Sequence, residues 1–78
     1  LKIIISKIKN KDLYDMISEI RKSDKEYRLI LVDGIEIITD TLVSVDKYDN
    51  AYSLYIQKLK YNQEINYMDI RFKDVNVK

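Results

Sequence analysis

At 78 residues the chain is long enough for one domain with a single modest core, which at this size covers roughly 60–65% of the surface exposed by the unfolded chain. It contains no cysteine and no histidine, which excludes a disulfide framework, a thiolate metal site, a thiol nucleophile and the commonest general base. Fourteen basic residues against thirteen acidic ones leave a net charge of +1, too little for any general attraction to nucleic acid or an anionic membrane.

Hydrophobic residues make up 46% of the chain and charged ones 35%, with one glycine and no proline, the composition of a globular domain built from regular elements and tight connections. No stretch approaches the ~20 apolar residues that span a bilayer. The opening LKIIISKIKN is interrupted by lysines and lacks a signal-peptide cleavage pattern. The chain starts on Leu1 in what reads as the middle of an element, so we expect a soluble single domain over 1–78 cut from a longer protein.

Residues 2–22 fit two descriptions. Ile4, Ile5, Ile8, Leu13, Ile17 and Ile20 make a helical stripe, while 3–5 and 16–21 are short enough to be strands. We read a helix over 2–9, a short turn of helix capped by Asp12, and a strand over 17–22. Ser23, Asp24, Lys25 and Glu26 then form a polar turn into the segment 27–39, YRLILVDGIEIIT. Asp33-Gly34 between two apolar runs is the strongest short hairpin signal available. As a two-residue type I′ turn it pairs Val32 with Ile35, Leu31 with Glu36, Ile30 with Ile37 and Leu29 with Ile38. One face then carries Ile30, Val32, Ile35 and Ile37, and the other Tyr27, Leu29, Leu31 and Ile38 with Glu36. Both faces are mostly apolar, so this register predicts cover on both sides of the sheet.

Beyond Thr39, Leu42, Val43 and Val45 suggest a short extended piece. Asp46 is placed to cap a helix, with Asp49 adding negative charge to its first turn. Tyr48, Ala51, Tyr52, Tyr55, Ile56 and Leu59 follow amphipathic spacing up to Asn62-Gln63. The tyrosine rings read as core and core rim with their hydroxyls toward water. The closing segment alternates, with Met68, Ile70 and Phe72 on one side and Asp69, Arg71 and Lys73 on the other. A break at Lys73-Asp74 precedes Val75 and Val77, giving one bulged strand or two strands joined by a turn. The fold class is α+β, an antiparallel sheet of four or five strands with helices on one face, in the order α-β-β-β-α-β(β).

Chemistry is sparse. Asp33, Glu36 and Asp40 are explained by the turn and the strands, and Asp46 and Asp49 by the helix cap, without calcium-loop spacing. A lone Gly34 makes no phosphate-cradling loop. The pattern therefore predicts no catalytic residues, no cofactor, no metal and no small-molecule substrate. Glu36 reads either as exposed at the hairpin's end or as paired with Arg71 or Arg21.

Taken together, Ile17-Ser18-Glu19-Ile20, the Asp33-Gly34 hairpin, a helix containing Lys58-Leu59, and Met68-Asp69-Ile70-Arg71-Phe72 resemble the C-terminal part of the β domain of the bacterial cell-division protein family FtsQ, or DivIB. The likeness covers about residues 12–78. Asp40-Thr41 and Asp74-Val75 stand where the family usually has glycine. The resemblance implies a non-enzymatic divisome scaffold held in the cell membrane by an anchor outside this segment, with this part on the extracytoplasmic side. It also implies FtsB/FtsL-like division proteins as partners, added as a strand to the C-terminal strand. The partner-binding residues are then Phe72, Asp74, Val75, Asn76 and Val77, with Asp69 and Arg71 as a motif supporting the strand and Asp33 and Gly34 as the structural turn. An edge-paired or swapped homodimer is a further expectation. The rival readings are a small interaction or immunity-type domain of unrelated family and a nucleic-acid-binding module with stacking tyrosines.

Overall fold

The computed structural model describes residues 1–72 and the backbone of Asn76–Val77. Two short helices, α1 (Lys2–Lys7) and α2 (Lys11–Met16), lead into strand β1 (Ile17–Ser23), followed by β2 (Glu26–Leu31), β3 (Glu36–Thr39), helix α3 (Val45–Lys60), β4 (Tyr67–Asp69) and β5 (Asn76–Val77). The class is α+β. The strands lie in one sheet in chain order. It is mixed rather than antiparallel throughout, because β3 and β4 run parallel, with Ile37 beside Met68 and Ile38 beside Asp69. A parallel neighbour needs a crossover, and α3 supplies it.

The first helical region breaks into two because Asn10 intervenes. Its side chain accepts the Leu13 N–H at 3.1 Å, so Asn10 rather than Asp12 caps α2. Ser44, not Asp46, occupies the N-cap position of α3, and Asp46 contributes its charge to the first turn. The expected extended piece before α3 is instead a turn. The Asp40 side chain accepts the Leu42 N–H at 2.9 Å, leaving Leu42 exposed and Val43 buried. At its far end α3 closes with a Schellman arrangement. Asn62 adopts φ 55°, Gln63 N–H donates to Lys58 C=O at 2.9 Å and Asn62 N–H to Leu59 C=O at 3.1 Å.

The central hairpin departs from the type I′ expectation by one residue. Leu29 faces Ile37 and Ile30 faces Glu36, whereas the two-residue turn pairs Leu29 with Ile38. Type I′ needs positive φ at both central residues. Among the described non-glycine residues only Asp24 and Asn62 have it, so Asp33 does not. Instead Gly34 N–H donates to Leu31 C=O at 2.9 Å and Leu31 N–H to Ile35 C=O at 2.8 Å, enclosing the three-residue loop Val32-Asp33-Gly34 with Gly34 at φ 91°. This is a tight turn followed by a glycine bulge. The Asp33 carboxylate holds it by accepting the Ile35 N–H at 3.2 Å.

A one-residue slip exchanges the two faces of a strand, and here it sorts them. Leu29, Leu31 and Ile37, together with Met68 and Ile70, join Ile4, Ile8 and Leu13 of the first helices and Tyr48, Ala51 and Tyr55 of α3 in one core. All three helices therefore cover the same face of the sheet. The opposite face carries Glu26, Arg28, Glu36 and Asp69, with Ile30 and the buried Ile38 among them. The type I′ register implied cover on both faces; among the described residues no helix covers this one, and Ile38 is buried among its ion-paired side chains.

The tyrosines of α3 also differ from the expectation. Tyr48 is wholly buried and its hydroxyl lies 2.6 Å from Thr39 Oγ1, while the Tyr55 hydroxyl donates to Asp33 Oδ2. Seven residues apart on one face of the helix, the two hydroxyls tie α3 to the hairpin loop before β3 and to the last residue of β3. Burial raises the pKa of both phenols, and the adjacent Asp33 carboxylate adds to this for Tyr55. Among the described residues no buried side-chain polar atom lacks a partner.

Space does not make glycine necessary at 34, because no atom lies within 4 Å of where a Cβ would stand. Its backbone conformation does. Gly34→Ala is therefore expected to lower unfolding free energy by about 1 kcal/mol in urea titration, from the positive φ alone.

Candidate partner-binding edge

The motif Met68-Asp69-Ile70-Arg71-Phe72 begins in β4 and runs past its end. Met68 and Ile70 are fully buried against the helices. Asp69 points to the open face, where Arg71 reaches back to it. Arg71 Nε donates to Asp69 Oδ1 at 2.9 Å and Nη2 to Oδ2 at 2.7 Å, a bidentate pair, and the Arg71 backbone N–H donates to Oδ1 at 3.1 Å. That backbone bond takes a main-chain donor out of the strand direction and bends the chain. Phe72 consequently leaves the alternation that places it with Met68 and Ile70. It is 57% exposed, with the Arg71 guanidinium 5.3 Å from its ring centre.

Arg71 also approaches Glu26 at 3.7 Å, and Arg28 contacts Glu26 at 2.9 Å and Glu36 at 3.4 Å. The open face thus carries a chain of alternating charge, Asp69, Arg71, Glu26, Arg28, Glu36, spanning three strands. Glu36 pairs with Arg28, not with Arg71 or Arg21, because the observed register puts it beside Arg28 on that face. The Arg71 guanidinium holds the Asp69 carboxyl below its usual pKa, more than offsetting the opposite effect of burial.

Beside this corner, Leu42, Val43, Ile70 and Phe72 with Lys47 and Arg71 line a shallow groove of about 260 Å³. The Lys47 ammonium donates to the Phe72 carbonyl, fastening the first turn of α3 to the segment that follows β4. β5 returns antiparallel to β4, Val77 beside Met68 and Asn76 beside Asp69, and is the last strand of the sheet order. Of the sequence candidates, Asn76 and Val77 therefore lie on a sheet edge, and Phe72 follows the end of β4 that Asn76 adjoins. Asp74 and Val75 lie outside the described residues. Asp33 and Gly34 sit at the hairpin tip, away from Phe72, since β4 starts beside Glu36 and runs toward Thr39.

Sequence reasoning missed the contribution of Lys47 and Leu42 to this corner and the ion-pair chain itself. The charges were visible, but only the hairpin register says which of them share a face. Among the described residues no group of acidic side chains is placed to hold a metal ion, and no helix is long and apolar enough to cross a membrane.

The depressed Asp69 pKa links the motif to pH. An unfolded aspartate titrates near 3.9, so the stabilisation is complete above that value and is lost as pH falls through the lower folded pKa. Asp69→Asn is expected to lower the unfolding free energy from urea titration above about pH 4, by on the order of 1 kcal/mol, with the difference from the parent chain shrinking toward pH 2. Comparison with protein-family models, curated proteins and solved structures returns no match.

Proposed function

We propose that this chain is a non-enzymatic protein-interaction module of a bacterial divisome scaffold of the FtsQ/DivIB type, receiving an FtsB/FtsL-like partner as an added strand on β5. The observation that carries the reading is the placement of β5. The last strand is an edge strand, hydrogen-bonded to β4, and β4 opens the Met68-Asp69-Ile70-Arg71-Phe72 motif on which the family resemblance rests. An edge strand offers a row of unpaired N–H and C=O groups to an incoming chain. Affinity then comes from backbone hydrogen bonds, and side chains at the ends of the strand supply specificity.

Support also comes from the division of labour around the motif. Asp69 and Arg71 are bonded to each other and Arg71 also pairs with Glu26, so they hold the end of β4 in place. Phe72 is left at the surface, where an added strand can pack on it. In this reading the parent protein lies in the cell membrane with the module on its extracytoplasmic side.

Proline scanning tests the mode of binding. Of two successive strand residues, one directs its N–H toward β4 and the other outward. Asn76→Pro and Val77→Pro are each measured for thermal stability and for binding of a peptide carrying the extended segment of an FtsB-like protein. One of the two is expected to abolish binding at unchanged melting temperature. Normal binding by both folded variants contradicts strand addition.

A further inference from the structure

The sheet has a second edge, β1, at the opposite end of the strand order. Most of its side chains are exposed, and its outer side adjoins a groove of about 330 Å³ lined by Ile5, Tyr14, Ile17 and Ile20. Ser18 is the extra residue of a bulge against β2, and its hydroxyl donates to the Ile30 carbonyl at 3.0 Å. Bulges and charges are the usual means of keeping an edge from indiscriminate pairing. Here they leave one register open.

From the charge order of this edge we propose that β1 pairs antiparallel with β1 of a second copy of the chain, about a twofold axis through Ile20, joining two sheets into one. With both copies keeping their helices on the same side, a strand can pair with itself only in registers centred on a residue. Centring on Glu19 sets Glu19 against Glu19, and centring on Arg21 sets Arg21 against Arg21. Both place like charges directly opposite, which is unfavourable. Centring on Ile20 sets Glu19 against Arg21 of the second copy twice over, and Ser18 against Lys22, with no like-charge pair. Ile20 then meets Ile20 on the helix side, where the two apolar grooves adjoin. On the open side, the Glu19–Arg21 pair, 2.8 Å within one chain and half or more exposed, exchanges partners between copies. The inference goes beyond the proposed partner binding and does not depend on it, because β5 and β1 are different edges.

Charge reversal tests it by sedimentation equilibrium. Arg21→Glu sets glutamates against Glu19 across the twofold. Within the chain it places a carboxylate opposite Arg28 of β2, so the fold does not suffer. The dimer dissociation constant is expected to rise at least about tenfold in R21E and to return toward the parent value in the double variant E19R/R21E. As a second readout, Ile20→Cys introduces the only cysteine of the chain. Oxidation is expected to cross-link it efficiently, and Ser23→Cys, which lies far from the axis, poorly. A parent chain that stays monomeric up to about 1 mM, a dimer indifferent to R21E, or failure of the double variant to restore association overturns the proposal.

Discussion

Everything in this fold depends on the register between β2 and β3, and that register depends on one positive φ. The loop Val32-Asp33-Gly34 has three residues because Gly34 alone adopts the left-handed conformation while Asp33 does not. A two-residue turn shifts the pairing by one and sends Glu36 to the side of Leu29 and Leu31. The observed loop instead aligns Leu29, Leu31 and Ile37 with the helices and Arg28, Glu36 and Asp69 with the open face. Burial and ion pairing are thus two consequences of one turn. Asp33 serves both sides of it, accepting the Ile35 N–H within the loop and the Tyr55 hydroxyl from α3.

The elements themselves were legible in the sequence. The strand at 17–22, the polar turn at Asp24-Lys25, the amphipathic helix around Tyr48 and Tyr55, and a closing segment of one bulged strand or two follow from local pattern and turn chemistry, and the structure takes the two-strand form. What was not legible depends on pairing between distant residues. An Asp-Gly dipeptide is compatible with both a two-residue and a three-residue hairpin loop, and nothing local chooses between them. The choice is made by packing, since the observed register sets Ile37 rather than Glu36 beside Leu29 and Leu31 under the helices. The same gap hid the parallel pairing of β3 with β4, because periodicity carries no strand direction.

The candidate edge was legible in a similar proportion. Met68 and Ile70 read correctly as core-facing from alternation alone. Phe72 did not, because the bend after Asp69 comes from a side-chain acceptor capturing the Arg71 N–H, which alternation does not reveal. The resulting corner combines a buried strand, a fixed acid–base fork and an exposed aromatic ring. The fork holds the end of β4, the strand on which the edge strand β5 is paired, and a preorganised edge lowers the ordering cost of the proposed strand addition. Under the proposed strand addition, stability and binding draw on the same five-residue motif for different ends.

The most direct test of the binding mode is amide hydrogen exchange followed by NMR, with and without a peptide carrying the extended segment of an FtsB-like division protein. Strand addition predicts that the outward-facing amide of Asn76 or Val77 gains protection on binding, while the amides of 19–23 on the opposite edge are unchanged. Binding that leaves both β5 amides exchanging as before, or that protects another surface instead, contradicts it.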